Sequence, residues 1–177
     1  MRWKTITLVA LLGGAALCNA ASAEWVHTAS EDDPFAGGAQ QFAGGQSDRG
    51  EMVMFRCTSR DDLALLFISI EKPSEDIASQ LDEMSTVGKP KLLVIIDNDP
   101  VVTLPAIVSM TPDRERYRYE AEGGELLTLA QRAAAAKRRV AVAVEFFGQR
   151  IYSTAVNVRG SRRAMDKLLK GCAIDAD

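Results

Sequence analysis

Cys57 and Cys172 lie 115 positions apart, the second close to the end of the chain, and together they constrain the fold more than any other feature. A third cysteine, Cys18, falls in the N-terminal segment. Two cysteines left in an exported chain are expected to pair. Such a bridge encloses 172 − 57 + 1 = 116 residues. On the loop-entropy model it stabilises by at most roughly 4–5 kcal/mol. Any fold that satisfies it brings the last helix against the strand that carries Cys57.

Export is itself read from the N-terminus. Arg2 and Lys4 precede an apolar run from Ile6 to Leu17, and Ala21-Ser22-Ala23 stands before Glu24, the three-part pattern of a secretory signal peptide. The run falls short of the roughly 20 apolar residues a membrane span needs. Cleavage after Ala23 leaves 177 − 23 = 154 residues, enough for a single domain with a real core, placed in the bacterial periplasm or secreted. Lipidation of Cys18 is the alternative, with Leu17 where such sites normally carry a small residue. Of 21 basic and 24 acidic residues the segment holds two basic ones, so the mature balance is 21 − 2 = 19 against 24, a formal −5. That balance speaks against nucleic acid as a partner.

The pattern after Ala23 is mostly that of strands. A short strand is expected around Trp25 to Thr28, followed by a mobile, Gly-rich loop over 31–50 that carries the tetrapeptide FAGG twice, at Phe35 and Phe42. Val53, Phe55 and Cys57 alternate with Met52, Met54 and Arg56, which turns Cys57 toward the core, and a hairpin through Ser59-Arg60-Asp61 leads to the apolar run that follows. A brief helix is expected after Pro73. Lys91 to Ile96 reads as a buried strand, Asp97-Asn98-Asp99-Pro100 as a hairpin tip, and Ala106 to Met110 as another strand. Arg114, Arg116 and Arg118 then fall on one face of an alternating strand. Glu125 to Arg139 has helical spacing with Lys137 to Arg139 at its C-terminal end. A hairpin about Gly148-Gln149, with Gly first as in a type II′ turn, sets Phe146 against Ile151 and Glu145 against Tyr152. In the final helix Ser161 is the expected N-cap, and Ala164, Met165, Leu168, Leu169 and Cys172 form one stripe. The fold class is therefore α+β: an antiparallel β-sheet or compact β-sandwich, two flanking helices and one disulfide.

Few constellations carry chemistry. The one histidine, His27, has no cysteine or serine partner suggested by spacing. The acidic Glu31, Asp32 and Asp33, and the turn aspartates, lack the regular ligand spacing of a calcium loop, and no metal or cofactor is implied. Glu71, Glu75 and Asp76 are the carboxylates that could pair for hydrolysis. The residues expected to contact a partner are the basic ridge Arg114, Arg116 and Arg118, suited to an acidic surface, with Phe35 and Phe42 on the loop.

Trp25, the FRC sequence ending in Cys57, the strands around Gly148, and Gly160 ahead of a last helix closed by Cys172 resemble a periplasmic domain of type VI secretion-associated proteins of the VasI/TagO type and related exported bacterial proteins. The resemblance implies an antiparallel β-rich fold with flanking helices and no known catalytic activity. The expected function is a non-enzymatic binding or accessory protein that meets an envelope protein or acidic surface. The alternatives are an inhibitor or immunity protein that blocks a cell-wall hydrolase, with the Gly-rich loop as wedge, and a carboxylate-dependent envelope hydrolase using Glu71 and Asp76.

Overall fold

Alternation with a period of two decides which side chains of this chain face inward. In the computed structural model, which describes residues 24–31, 39–72 and 88–174, strand β3 (Met52–Cys57) buries Val53, Phe55 and Cys57 completely and leaves Met52, Met54 and Arg56 half-buried on its other face. A short 3-10 turn at Arg60–Asp62 follows, its Asp62 carboxylate accepting the amides of Thr58 and Ser59 at 2.7 and 2.8 Å. The chain then returns as β4 (Ala64–Ile68), buried along its whole length.

The described strands make two sheets, and all neighbours in both are antiparallel. The first has the order β1 (Val26–Ala29), β2 (Gln41–Gln46), β3, β4, β8 (Tyr117–Glu122), β7 (Ile107–Met110). The second has the order β10 (Gln149–Asn157), β9 (Arg139–Phe146), β5 (Lys91–Ile96), β6 (Val102–Pro105). Only Ala106 separates β6 from β7, so one extended run leaves the edge of one sheet and enters the edge of the other. The Ala106 amide donates to the Pro90 carbonyl at 2.8 Å at that corner. The inner faces share one core, with Phe55, Leu65 and Phe67 on one side and Leu92, Val94, Val140 and Val142 on the other. Helices α1 (Leu126–Ala135) and α2 (Ser161–Gly171) pack on each other, and α2 lies over β1, β2 and β3. This is the expected α+β sandwich. Among the described residues no helix is long and apolar enough to cross a membrane.

The expected stripe of α2 is the face that packs: Ala164, Met165, Leu168, Leu169 and Cys172 are buried, whereas Arg162, Arg163, Asp166, Lys167 and Lys170 are exposed. Cys172 is bonded to Cys57 with the Cα atoms 6.1 Å apart, inside the normal range for a bridge.

Four expectations are corrected. The loop over 31–50 is interrupted by β2, paired to β1 on one side and β3 on the other. Gly44 and Gly45 mark close approach instead of a flexible turn: a Cβ on Gly44 would collide with Met54 Cγ, and one on Gly45 would lie 2.8 Å from the Trp25 indole nitrogen. Residues 32–38, with Phe35 and the first FAGG, lie outside the described residues, as does the helix expected after Pro73. Helix α1 stops at Ala135 and not at Arg139, because the Asp97 carboxylate collects the amides of Lys137, Arg138 and Arg139 and turns them toward β9. The β9–β10 turn is Phe147-Gly148, both with positive φ (49° and 73°), the type I′ geometry. It opposes Phe146 to Gln149 and Glu145 to Arg150, and a bulge at Ile151 then brings Tyr152 opposite Val144. Gly160, with φ 79°, is the N-cap of α2, and Ser161 is the first helical residue.

Burial of Met165, Leu168 and Leu169 contributes roughly 1.5–3 kcal/mol each, so α2 is expected to stay docked without its cross-link. Reduction of the bridge, or Cys57→Ala with Cys172→Ala, is expected to cost about 2–5 kcal/mol while leaving a cooperative fold. Urea unfolding with and without dithiothreitol measures this; an unchanged midpoint would show that the bridge contributes nothing.

Candidate functional site

The basic ridge does not form. The chain from Thr111 to Arg116 is a tight turn in which the Thr111 hydroxyl accepts the Arg116 amide (3.1 Å) and the Asp113 carboxylate accepts the Glu115 amide (3.1 Å). These local bonds compete with ladder pairing, and Arg114 sits at φ 58°. Strand β8 therefore begins only at Tyr117, and Arg114 is left in the turn. Arg118 is in the sheet but engaged, donating to Ser109 Oγ (3.1 Å) and pairing with Glu120 (3.2 Å). Glu120, 6% exposed, gives its other oxygen to Arg56 at 2.6 Å. Arg118–Glu120–Arg56 is thus a charge ladder on the outer face of the first sheet, and it holds strands β3 and β8 across β4. Phe42 is half-buried in β2, opposite Thr28 and Arg56.

Other polar groups are also spoken for. His27 Nε2 lies 3.0 Å from Gln41 Oε1. Glu71 accepts the Tyr152 hydroxyl at 2.6 Å, and the Tyr152 ring packs at a tilt against Phe67 and Tyr119. Burial, followed by the Glu71 hydrogen bond, pushes the Tyr152 phenol well above its usual range. Glu75 and Asp76 lie outside the described residues. Glu51, nearly enclosed where β3 approaches β10, accepts Ser47 and Thr154 hydroxyls and pairs with Arg49 (2.8 Å), which reaches on to the Ser153 carbonyl. Among the described residues no group of three or more His, Cys, Asp or Glu could hold a metal ion.

A cleft of about 760 Å³ opens between the end of α1 and the start of α2. Lys137, Arg162, Arg163 and Lys167 line it together with Ser161 and the single acid Asp166. All four cations are exposed, and none is ion-paired among the described residues.

Both walls are fixed from elsewhere in the chain. On the α2 side Trp25 donates its amide to Arg159 O (2.8 Å) and its indole N–H to Asn157 O (2.6 Å), which clamps the segment before the helix. Gly160 then makes the turn at positive φ, where a Cβ would meet the Trp25 carbonyl at 3.0 Å. On the α1 side Asp97 holds the amides of residues 137 to 139 at 2.8–3.0 Å, and Asp99 pairs with Arg132 at 2.6 Å. The hairpin-tip aspartates thus also set where Lys137 stands. Sequence reasoning placed the arginines on the exposed side of the last helix but had no means of bringing Lys137 to them. One signal was available: two arginines in the first turn of a helix oppose its dipole.

No protein-family model, curated protein or solved structure matches this chain.

Hydrogen bonds from the Lys137, Arg139 and Arg138 amides hold the Asp97 carboxyl below the usual aspartate value of 3.8. A lowered folded value means that this tether stabilises above the ordinary range and is lost as pH falls through the folded value. Amide shifts of residues 137 to 139, followed by NMR, are expected to move together with a midpoint below 3.8. In Asp97→Asn that titration disappears. A midpoint at or above the ordinary value would show that the carboxylate does not hold the turn.

Proposed function

We propose that this chain is an exported, non-enzymatic binding or accessory protein of the bacterial periplasm, and that it receives an acidic partner in the cleft between α1 and α2. The observation that carries this reading is the convergence of Lys137, Arg162, Arg163 and Lys167, free of ion pairs among the described residues, on one concave surface of a chain whose overall charge is negative. Concave surfaces lined by one sign of charge concentrate oppositely charged partners. The signal-like N-terminus supports export, and the resemblance to type VI secretion-associated periplasmic domains supports a partner in the envelope. In the inhibitor alternative the wedge is the Gly-rich segment, of which Gln41–Gln46 is ladder-paired on both edges.

Binding of fluorescent poly-L-glutamate, followed by anisotropy, tests the surface. Arg162→Glu with Arg163→Glu is expected to weaken it at least about tenfold, equivalent to roughly 1.4 kcal/mol, and added salt is expected to weaken the unmodified protein similarly. Arg114→Glu with Arg116→Glu, at the β7–β8 turn, is expected to leave it within about twofold. Equal losses from the two pairs would refute the assignment to the cleft.

A further inference from the structure

The first turn of α2 carries charge of the wrong sign for a helix start. A helix N-terminus is a site of partial positive charge with amides that lack intrahelical acceptors, yet Arg162 and Arg163 are its second and third residues. The Ser161 amide is satisfied by Val158 O at 3.0 Å, and bonding into the helix begins with Ala164 N to Gly160 O, also 3.0 Å. The amides of Arg162 and Arg163 have no place in that ladder.

A second observation is independent of the helix terminus. Ser161 is 1% exposed and forms part of the cleft wall, yet its hydroxyl makes no hydrogen bond among the described residues. No fully enclosed side-chain oxygen or nitrogen there lacks a partner. The trace of surface that Ser161 retains therefore falls on its hydroxyl, which faces the cleft. A hydroxyl this enclosed and without a protein partner is left to be bonded by something outside the chain.

We propose that this corner of the cleft binds a phosphate group. Ser161 Oγ and the amides of Arg162 and Arg163 are its hydrogen-bond donors, and the side chains of Arg162, Arg163, Lys167 and Lys137 supply the charge. The inference rests on the cleft being the contact surface and adds the chemistry of what anchors there. Three directed donors together with four cations exceed what the two oxygens and single charge of a carboxylate can use. A phosphate monoester, with three terminal oxygens and a charge of about −1.5 to −2, matches them better. Two acids temper the site. Asp166 lies on the cleft wall, and the Glu24 side chain packs against Gly160, its Cγ and Oε1 being 2.7 and 2.9 Å from where a Cβ would stand. Glu24 offsets part of the charge at the helix start but makes no bond to Ser161.

Titration of the protein with inorganic phosphate, followed by amide NMR shifts, tests the site. The expected result is saturable binding with the largest shifts at Ser161 to Arg163, weakened about tenfold in Ser161→Ala, as loss of a hydrogen bond to a charged group implies. Arg162→Gln with Arg163→Gln is expected to abolish it, and Glu24→Gln to tighten it. Sodium acetate at equal ionic strength is the control. Equal shifts with acetate, or shifts spread over Arg114 and Arg116 as well, would overturn the inference. If poly-L-glutamate binds the cleft and phosphate does not, the contact surface stands and the phosphate site falls. Co-sedimentation with phosphatidylglycerol vesicles, competed by inorganic phosphate, assigns the group to a lipid headgroup; saturable phosphate binding without co-sedimentation assigns it to a soluble phosphate ester.

Discussion

The bond between Cys57 and Cys172 joins the third strand of the first sheet to the end of the last helix, and the cleft is placed by way of that join. Helix α2 has no strand partner of its own and is located by its buried stripe and by this cross-link. Its start lies next to α1, so whatever fixes α2 on β1, β2 and β3 also fixes Ser161, Arg162 and Arg163 relative to Lys137. Removing loop-closure entropy from the unfolded chain is the usual account of a bridge's stabilisation. Here the bridge has the further effect of limiting how far a helix with an exposed, strongly basic face can slide.

The second constraint is electrostatic and is met differently on the two sides of the molecule. On the outer face of the first sheet the charges are resolved internally: Glu120 has one oxygen on Arg56 and the other toward Arg118, so cations on separate strands share one buried anion. An acid this buried is tolerable only because both oxygens are bonded. In the cleft the opposite holds. Four cations stand together with Asp166 alone on the cleft wall, and two of them are at the helix end where the dipole disfavours them. The ladder accounts for itself by the strands it ties together, whereas the cleft has no such internal account.

Much of the architecture was legible because it rests on local periodicity. The alternation in Met52–Cys57 fixed the inward face of Cys57, and the three- and four-residue spacing after Ser161 fixed the face of α2 that buries Cys172; both cysteines thus pointed at the same core. Two of the errors turned on contacts between residues far apart in the chain. Gly44 and Gly45 have loop composition, and only the Met54 side chain and the Trp25 indole reveal that they are glycine to let a strand approach closely. Helix α1 had no stop signal at Ala135, because the acceptor that ends it is Asp97, about 40 residues earlier. The strand expected through Arg114, Arg116 and Arg118 failed for the complementary reason: Thr111 and Asp113 offer local side-chain bonds that outcompete a ladder.

That same dependence on distant contacts explains why the grouping of Lys137 with Arg162, Arg163 and Lys167 was not legible in the sequence. Sequence alone ranks cations by how close they are along the chain, which favours an Arg-x-Arg-x-Arg run. Folding regroups them by where unrelated elements end. The carboxylate of Asp97 at one turn and the indole of Trp25 at the mouth of β1 each deliver one wall of the cleft, and neither carries any of its charge. The positioning groups and the charged groups are therefore different residues. Substitution of Asp97 or Trp25 acts on the geometry of the cleft, whereas substitution of Arg162, Arg163, Lys167 or Lys137 acts on its potential.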